Sequence, residues 1–190
     1  NNLGTRKDLK VYQIPFRNDS VIVDSIKTIP FFYPEQTDFM PKNINNNFDA
    51  EAMIFLGGNI HLFTKEWITN TVSHYVIDKN LTENQPAKKL ETFDTGFVVT
   101  DASFFDNKLY VVGYTKKASV YLMIFEKDET GNLFFNKPLK KFSLGRAFSI
   151  GQIEGITATE KGVYISGERF NIKIKKVPQS LYFISFKDLE

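Results

Sequence analysis

The feature that most constrains this chain is a short unit that occurs three times. In residues 49–65 it reads Asp-Ala-Glu-Ala-Met-Ile-Phe-Leu-Gly-Gly-Asn-Ile-His-Leu-Phe-Thr-Lys. Two brief apolar strands flank a tight Gly57-Gly58-Asn59 turn, and a carboxylate stands near the start of the first. Residues 101–112 and 154–165 repeat the pattern. From Glu51 to Asp101 is 50 positions and from Asp101 to Glu154 is 53. A fixed period of this size is the mark of a repeat architecture, in which one supersecondary unit stacks on the next.

Four features recur in order. A carboxylate precedes a small residue at Glu51-Ala52, Asp101-Ala102 and Glu154-Gly155. An alternating strand follows the turn, as in Ile60-His61-Leu62-Phe63, Leu109-Tyr110-Val111-Val112 and Val163-Tyr164-Ile165. A third strand opens with Ser-x-Tyr at Ser73, Ser119 and Ser180, and a fourth with paired lysines at Lys88-Lys89 and Lys140-Lys141. The blocks run over residues 48–96, 97–150 and 151–190, the last without its fourth strand. Residues 1–47 read as half a block, two strands over residues 9–14 and 21–29, and then a long irregular connection. No segment carries a helical stripe.

Four antiparallel strands per repeat of 40–50 residues predict an all-β fold and a partial β-propeller of about three and a half blades. A β-sandwich is the alternative. It also needs alternating strands, but it does not need self-similar blocks, whereas a propeller blade buries its faces only against its neighbours. The 19 phenylalanines suit the wedge between splayed blades.

The composition excludes several classes. A net charge of +2 with scattered lysines gives no basic face for nucleic acid. No apolar run reaches the length of a membrane span. The absence of cysteine removes disulfides, thiolate metal sites and thiol catalysis. Phosphate-cradling loops and nucleophile elbows are missing, so no catalytic residue is assigned.

In a propeller, strand one starts and strand two ends on the same face. Glu51, Asp101 and Glu154 would then form part of a ring at the channel mouth. A hard cation such as Ca²⁺ would neutralise them. The competing reading gives each carboxylate backbone amides of a neighbouring blade, or a cation among Lys65, Lys116 and Arg169. Trp67, after Lys65, and Arg169 hold matching loop positions that could flank a ligand pocket. His61 and His74 lack partners at metal-ligand spacing and read as structural.

These residues carry a resemblance. The chain resembles uncharacterised secreted β-propeller proteins of bacteria, through Asn1-Asn2, Gly4, Arg6, Leu9, Tyr12 and Ile14, then Asp49, Glu51, Ala52 and Phe63-Thr64-Lys65, then Gln152 to Ile156. It is also similar, over a shorter stretch, to calcium-binding propellers of the gluconolactonase and phytase-like kinds. The resemblance implies a secreted or cell-envelope protein that belongs to a larger ring or completes one by self-association. The leading expectation is a non-catalytic binding module for a small ligand, glycan or partner protein. The alternative is a Ca²⁺-dependent hydrolase of the lactonase or phosphoesterase kind.

Overall fold

The computed structural model describes residues 3–172 and 175–190. Asn1 and Asn2 of the opening motif, and Lys173 of the C-terminal lysine cluster, lie outside the described residues. The fold is all-β, with several mostly antiparallel sheets, none of them closed.

β1 (Lys10–Gln13), the small hairpin of β2 (Phe16–Arg17) and β3 (Ser20–Val21), and β4 (Lys27–Phe32) come first. The Asn18-Asp19 turn of the hairpin has both φ angles positive, as a tight two-residue turn requires. The strand expected over residues 21–29 is broken by a 3-10 turn at Val23–Ser25, and the strand that follows it runs on through Pro30. Leu9 accepts a bond from the Phe31 amide, so Lys10↔Pro30 is a pair that exchanges no hydrogen bonds and the missing proline N–H costs nothing.

Three meanders follow. The first holds β5 (Asp49–Leu56), β6 (Asn59–Lys65), β7 (Val72–Asp78) and, after the two-residue β8 (Gln85–Pro86), β9 (Lys88–Phe93). β8 leaves this meander to pair parallel with β4, a cross-link without a sequence signal. The second holds β10 (Val98–Phe105), β11 (Lys108–Tyr114), β12 (Ser119–Glu126) and β13 (Pro138–Arg146). A single helical turn, α1 (Ala147–Ile150), leads into β14 (Gln152–Thr159) and β15 (Gly162–Glu168). An unanticipated hairpin of β16 (Phe170–Ile172) and β17 (Lys175–Val177) precedes β18 (Ser180–Ile184), the third strand of the last meander.

Strand alternation sorts the core into three layers. Ile60 and Leu62 face the N-terminal sheet, where they join Ile29, Phe31 and Tyr75. Phe63 points the other way, into a layer with Phe97, Leu109, Val111 and Phe125. Tyr110 and Val112 face a third layer with Ile153, Val163 and Ile165. The second strand of each of the first two meanders is therefore buried on both faces, and sheets stack in sequence order with β5 beside β10 and β10 beside β14.

The layer between the first two meanders contains a buried polar chain. The Leu56 carbonyl can only accept, so His61 Nε2, 3.2 Å away, carries its proton. His61 Nδ1 then accepts from His74 Nε2 at 2.8 Å, and His74 Nδ1 meets Glu91 Oε1 at 2.8 Å. The Glu91 carboxylate also takes the amides of Phe134 and Phe135 at 3.0 Å from the β12–β13 connection. The network ties one sheet to the next. Burial, followed by the neighbouring His74, pushes the His61 pKa down to about 4.

Each meander opens with the same β-bulge. The extra residue is Glu51 between Ala50↔Thr64 and Ala52↔Phe63, Thr100 between Val99↔Gly113 and Asp101↔Val112, and Glu154 between Ile153↔Gly167 and Gly155↔Ser166. The sequence alignment of Glu51 with Asp101 and Glu154 is thus one residue out in the middle meander. The register partner of the two glutamates is Thr100, and Asp101 matches Ala52 and Gly155.

Two outcomes follow from this packing. A Cβ at Gly113 would sit 1.9 Å from the Val98 carbonyl oxygen, so Gly113→Ala is expected to cost about 1–3 kcal/mol, as overpacking does, and to lower Tm by several degrees in calorimetry. Secondly, His61 stays neutral in the fold down to pH about 4 while the unfolded histidine takes up its proton near 6.5. Its contribution is complete above 6.5 and is lost as pH falls toward 4. Urea midpoints should fall across that window, and less steeply in His61→Asn, whose amide oxygen keeps the bond to His74.

Candidate functional site

The bulges set the geometry of the end at which first strands begin and second strands finish. A bulge re-aims the side chain of its extra residue. Here it directs Glu51 of the first meander and Glu154 of the third toward one atom. Lys65 Nζ, at the end of β6, lies 3.4 Å from Glu51 Oε2 and 3.9 Å from Glu154 Oε2. The Lys65 side chain is 3% exposed, against 26% for Glu51 and 19% for Glu154. The ammonium also lies 5.3 Å from the ring centroids of both Trp67 and Tyr114, within cation–π range. Two carboxylates and two aromatic faces surround one cation.

Neighbouring groups hold this box in place. The Tyr114 hydroxyl donates to Glu154 Oε1 at 3.1 Å and accepts from Gln152 Nε2 at 2.9 Å. Burial, and then the charge of Glu154, push the Tyr114 pKa well above the ordinary phenol value. Thr100, the bulged residue of the middle meander, donates to the Ile153 carbonyl at 2.8 Å and so pins the second sheet to the third. Trp67 is buried and tied down at its backbone, its amide donating to the Asn46 carbonyl at 3.0 Å. The turn after it is organised by the buried carboxylate of Glu66, which accepts from the hydroxyls of Thr64, Thr69 and Thr71.

Asp101 takes a different partner. Its Oδ2 accepts from the Ile156 amide at 2.8 Å, across the sheet boundary. Burial raises its pKa, opposed by the amides of Ile156 and Ala102. Burial also raises that of Glu51, opposed by Lys65.

The Ca²⁺ expectation for Glu51, Asp101 and Glu154 does not fit these donors. A calcium site collects six to eight oxygens around one centre. The point between the two glutamates is held by an ammonium, and Asp101 is engaged with backbone. Among the described residues no group of three or more His, Asp or Glu side chains is placed to hold a metal ion.

The predicted ligand-binding residues divide into two sets. Lys65 and Trp67 belong to the buried box. Lys116 and Arg169 are exposed, on the connections that follow β11 and β15. Phe170, the neighbour of Arg169, packs on Phe148, with centroids 5.6 Å apart. Sequence reasoning missed Tyr114 and Gln152. Register would have found the first, since Tyr114 closes the second strand where Lys65 does.

No family model and no curated protein sequence matches this chain.

Removing the cation tests the box. Lys65→Met leaves two facing carboxylates and should cost about 3 kcal/mol at pH 7, the low end for a broken buried pair because both glutamates keep some contact with water. Lys65 lowers the Glu51 pKa, so its loss raises that pKa further. A raised carboxylate pKa favours the fold at low pH and is lost as pH rises. The deficit in urea unfolding should therefore shrink on going from pH 7 to pH 4.

Proposed function

We propose that this chain is an arc of a β-propeller that serves as a non-catalytic binding module of the secreted space or cell envelope. Its ligand face is the end of the sheets at which the first strands begin. Support for the propeller reading comes from three successive meanders of one register, each with a bulge at the same place and each buried against the next. A sandwich has no need of that repetition. The localisation rests on the resemblance to secreted bacterial propellers.

One observation carries the binding reading: the charged groups at the centre of this face satisfy one another. Lys65 neutralises Glu51 and Glu154, the Tyr114 hydroxyl is engaged on both sides, and Asp101 holds a backbone amide. No side chain in this cluster is left as a free base or nucleophile, so the centre acts as a rigid plug. Recognition then falls to the connections around it, where Lys116 and Arg169 are exposed and cationic. The fitting ligand is anionic, a glycan carrying carboxylates or an acidic protein surface.

The test is retention on immobilised polygalacturonate compared with a neutral galactan. The wild-type protein should be retained on the acidic matrix alone. Lys116→Gln/Arg169→Gln should elute at least twofold earlier in salt, while Lys88→Gln/Lys161→Gln, with the same loss of charge on other exposed surfaces, should not. Equal behaviour of the two double variants would remove this face as the binding surface.

A further inference from the structure

The edge of β1 and the exposed face of β5 form an incomplete sheet junction, and we infer that it is a docking groove for an extended, acidic strand of a partner polypeptide. The inference goes beyond the ligand face and stands on strand register.

Comparison of equivalent positions defines what is lacking. Met53 and Phe55 pair with Leu62 and Ile60; their equivalents are Ala102 and Phe104 in the second meander and Ile156 and Ala158 in the third. Ala102 and Phe104 are packed in one layer with Ala52 and Ile54 of β5. Ile156 and Ala158 lie under β10, whose Asp101 and Ser103 accept their amides. In both cases the cover is the first strand of the preceding sheet. Among the described residues, the sheet that precedes β5 consists of β1, β4 and β8. Met53 is accordingly 54% exposed and Phe55 60%, against 6% for Ala102 and Ile156.

The void is real and has an unsatisfied edge. Two contiguous cavities of about 350 and 370 Å³ share Val11, Tyr12 and Met53. β1 is the terminal strand of its sheet. Leu9, Val11 and Gln13 are the residues bonded to β4, so the amide and carbonyl groups of Lys10 and Tyr12 point outward along the groove. Only an added strand satisfies such a row while covering an apolar face, which is the mode of recognition by strand addition.

Charge selects the occupant. Lys10 and Lys79 line the groove, and Arg6 lines an adjoining cavity that shares Lys10 and Tyr12 with it. Asp8 is the acid that faces two of these cations, 4.0 Å from Arg6 and 3.8 Å from Lys10. Glu51, at one end, is already held by Lys65. A second copy would bring the same cations face to face. A partner strand with alternating apolar residues and carboxylates on its flanks is complementary to the groove.

A synthetic peptide of residues 152–168, an inner-strand pair of this same fold with three glutamates and one lysine, is the probe. It should slow hydrogen exchange of the Lys10 and Tyr12 amides and bind at least tenfold more tightly than its Glu→Lys counterpart. Proline is tolerated where an edge N–H faces solvent. Tyr12→Pro should therefore melt within a few degrees of wild type yet lose the peptide, and Phe55→Ser should weaken it. Exchange at Lys10 and Tyr12 that the peptide leaves unchanged at millimolar concentration would overturn the assignment. So would binding that survives Tyr12→Pro, or a dimer in sedimentation with those amides already protected.

Discussion

A strand that is apolar on both faces cannot lie at the surface of a protein, and this constraint shapes the whole chain. β6 and β11 each send alternate side chains into two different layers. Neither can be satisfied within its own sheet, which supplies only edge partners. Each must be sandwiched between neighbours, and the order of the neighbours follows the order of the sequence because the connections are short. The stack has no interior of its own beyond these layers. Its stability is close to a sum of sheet-to-sheet interfaces.

Apolar layers of this kind are poor at fixing register, since one flat sheet can slide on another. Polar contacts supply the missing specificity. The Glu91–His74–His61 chain reaches the Phe134 and Phe135 amides of the next sheet. Thr100 and Asp101 bond the backbone of β14. Lys65 reaches from the first meander to the third. Each is lost if the sheets shift, a buried hydrogen bond in the first two cases and an ion pair in the third. Their net contribution to stability is small compared with burial, because desolvation offsets much of the attraction. Their contribution to a single arrangement is larger.

Much of the fold was legible because the determinants are local. Period-two alternation placed the meander strands, and Gly57-Gly58 marked the turn between the first two. What escaped were features set by distant partners. β8 pairs with β4 through two residues, too few to leave a pattern. The two histidines looked isolated because they sit 13 residues apart on adjacent strands, and strand pairing rather than spacing joins them. Trp67 was expected to flank a pocket with Arg169, yet it is buried, and the threonines around it are drawn to Glu66. Burial of a loop is decided by what its polar atoms bond, which composition does not reveal.

The one-residue displacement of Asp101 has the same origin and explains the site. A bulge adds a residue without leaving a mark in the hydrophobic pattern, so the carboxylates alone put the middle meander one residue out of register. The true occupant of that bulge is a threonine, and electrostatics gives the reason. Around a single ammonium, two glutamates already leave an excess of one negative charge. A third bulged carboxylate would add another, in a setting dry enough to raise the pKa of Glu51 even beside a lysine. Thr100 gives the middle sheet a neutral hydroxyl at the crowded point, where it can bond a carbonyl. The acid moves to the next position, where the Ile156 amide meets it. The departure from strict repetition is therefore what allows the three sheets to converge around a single lysine.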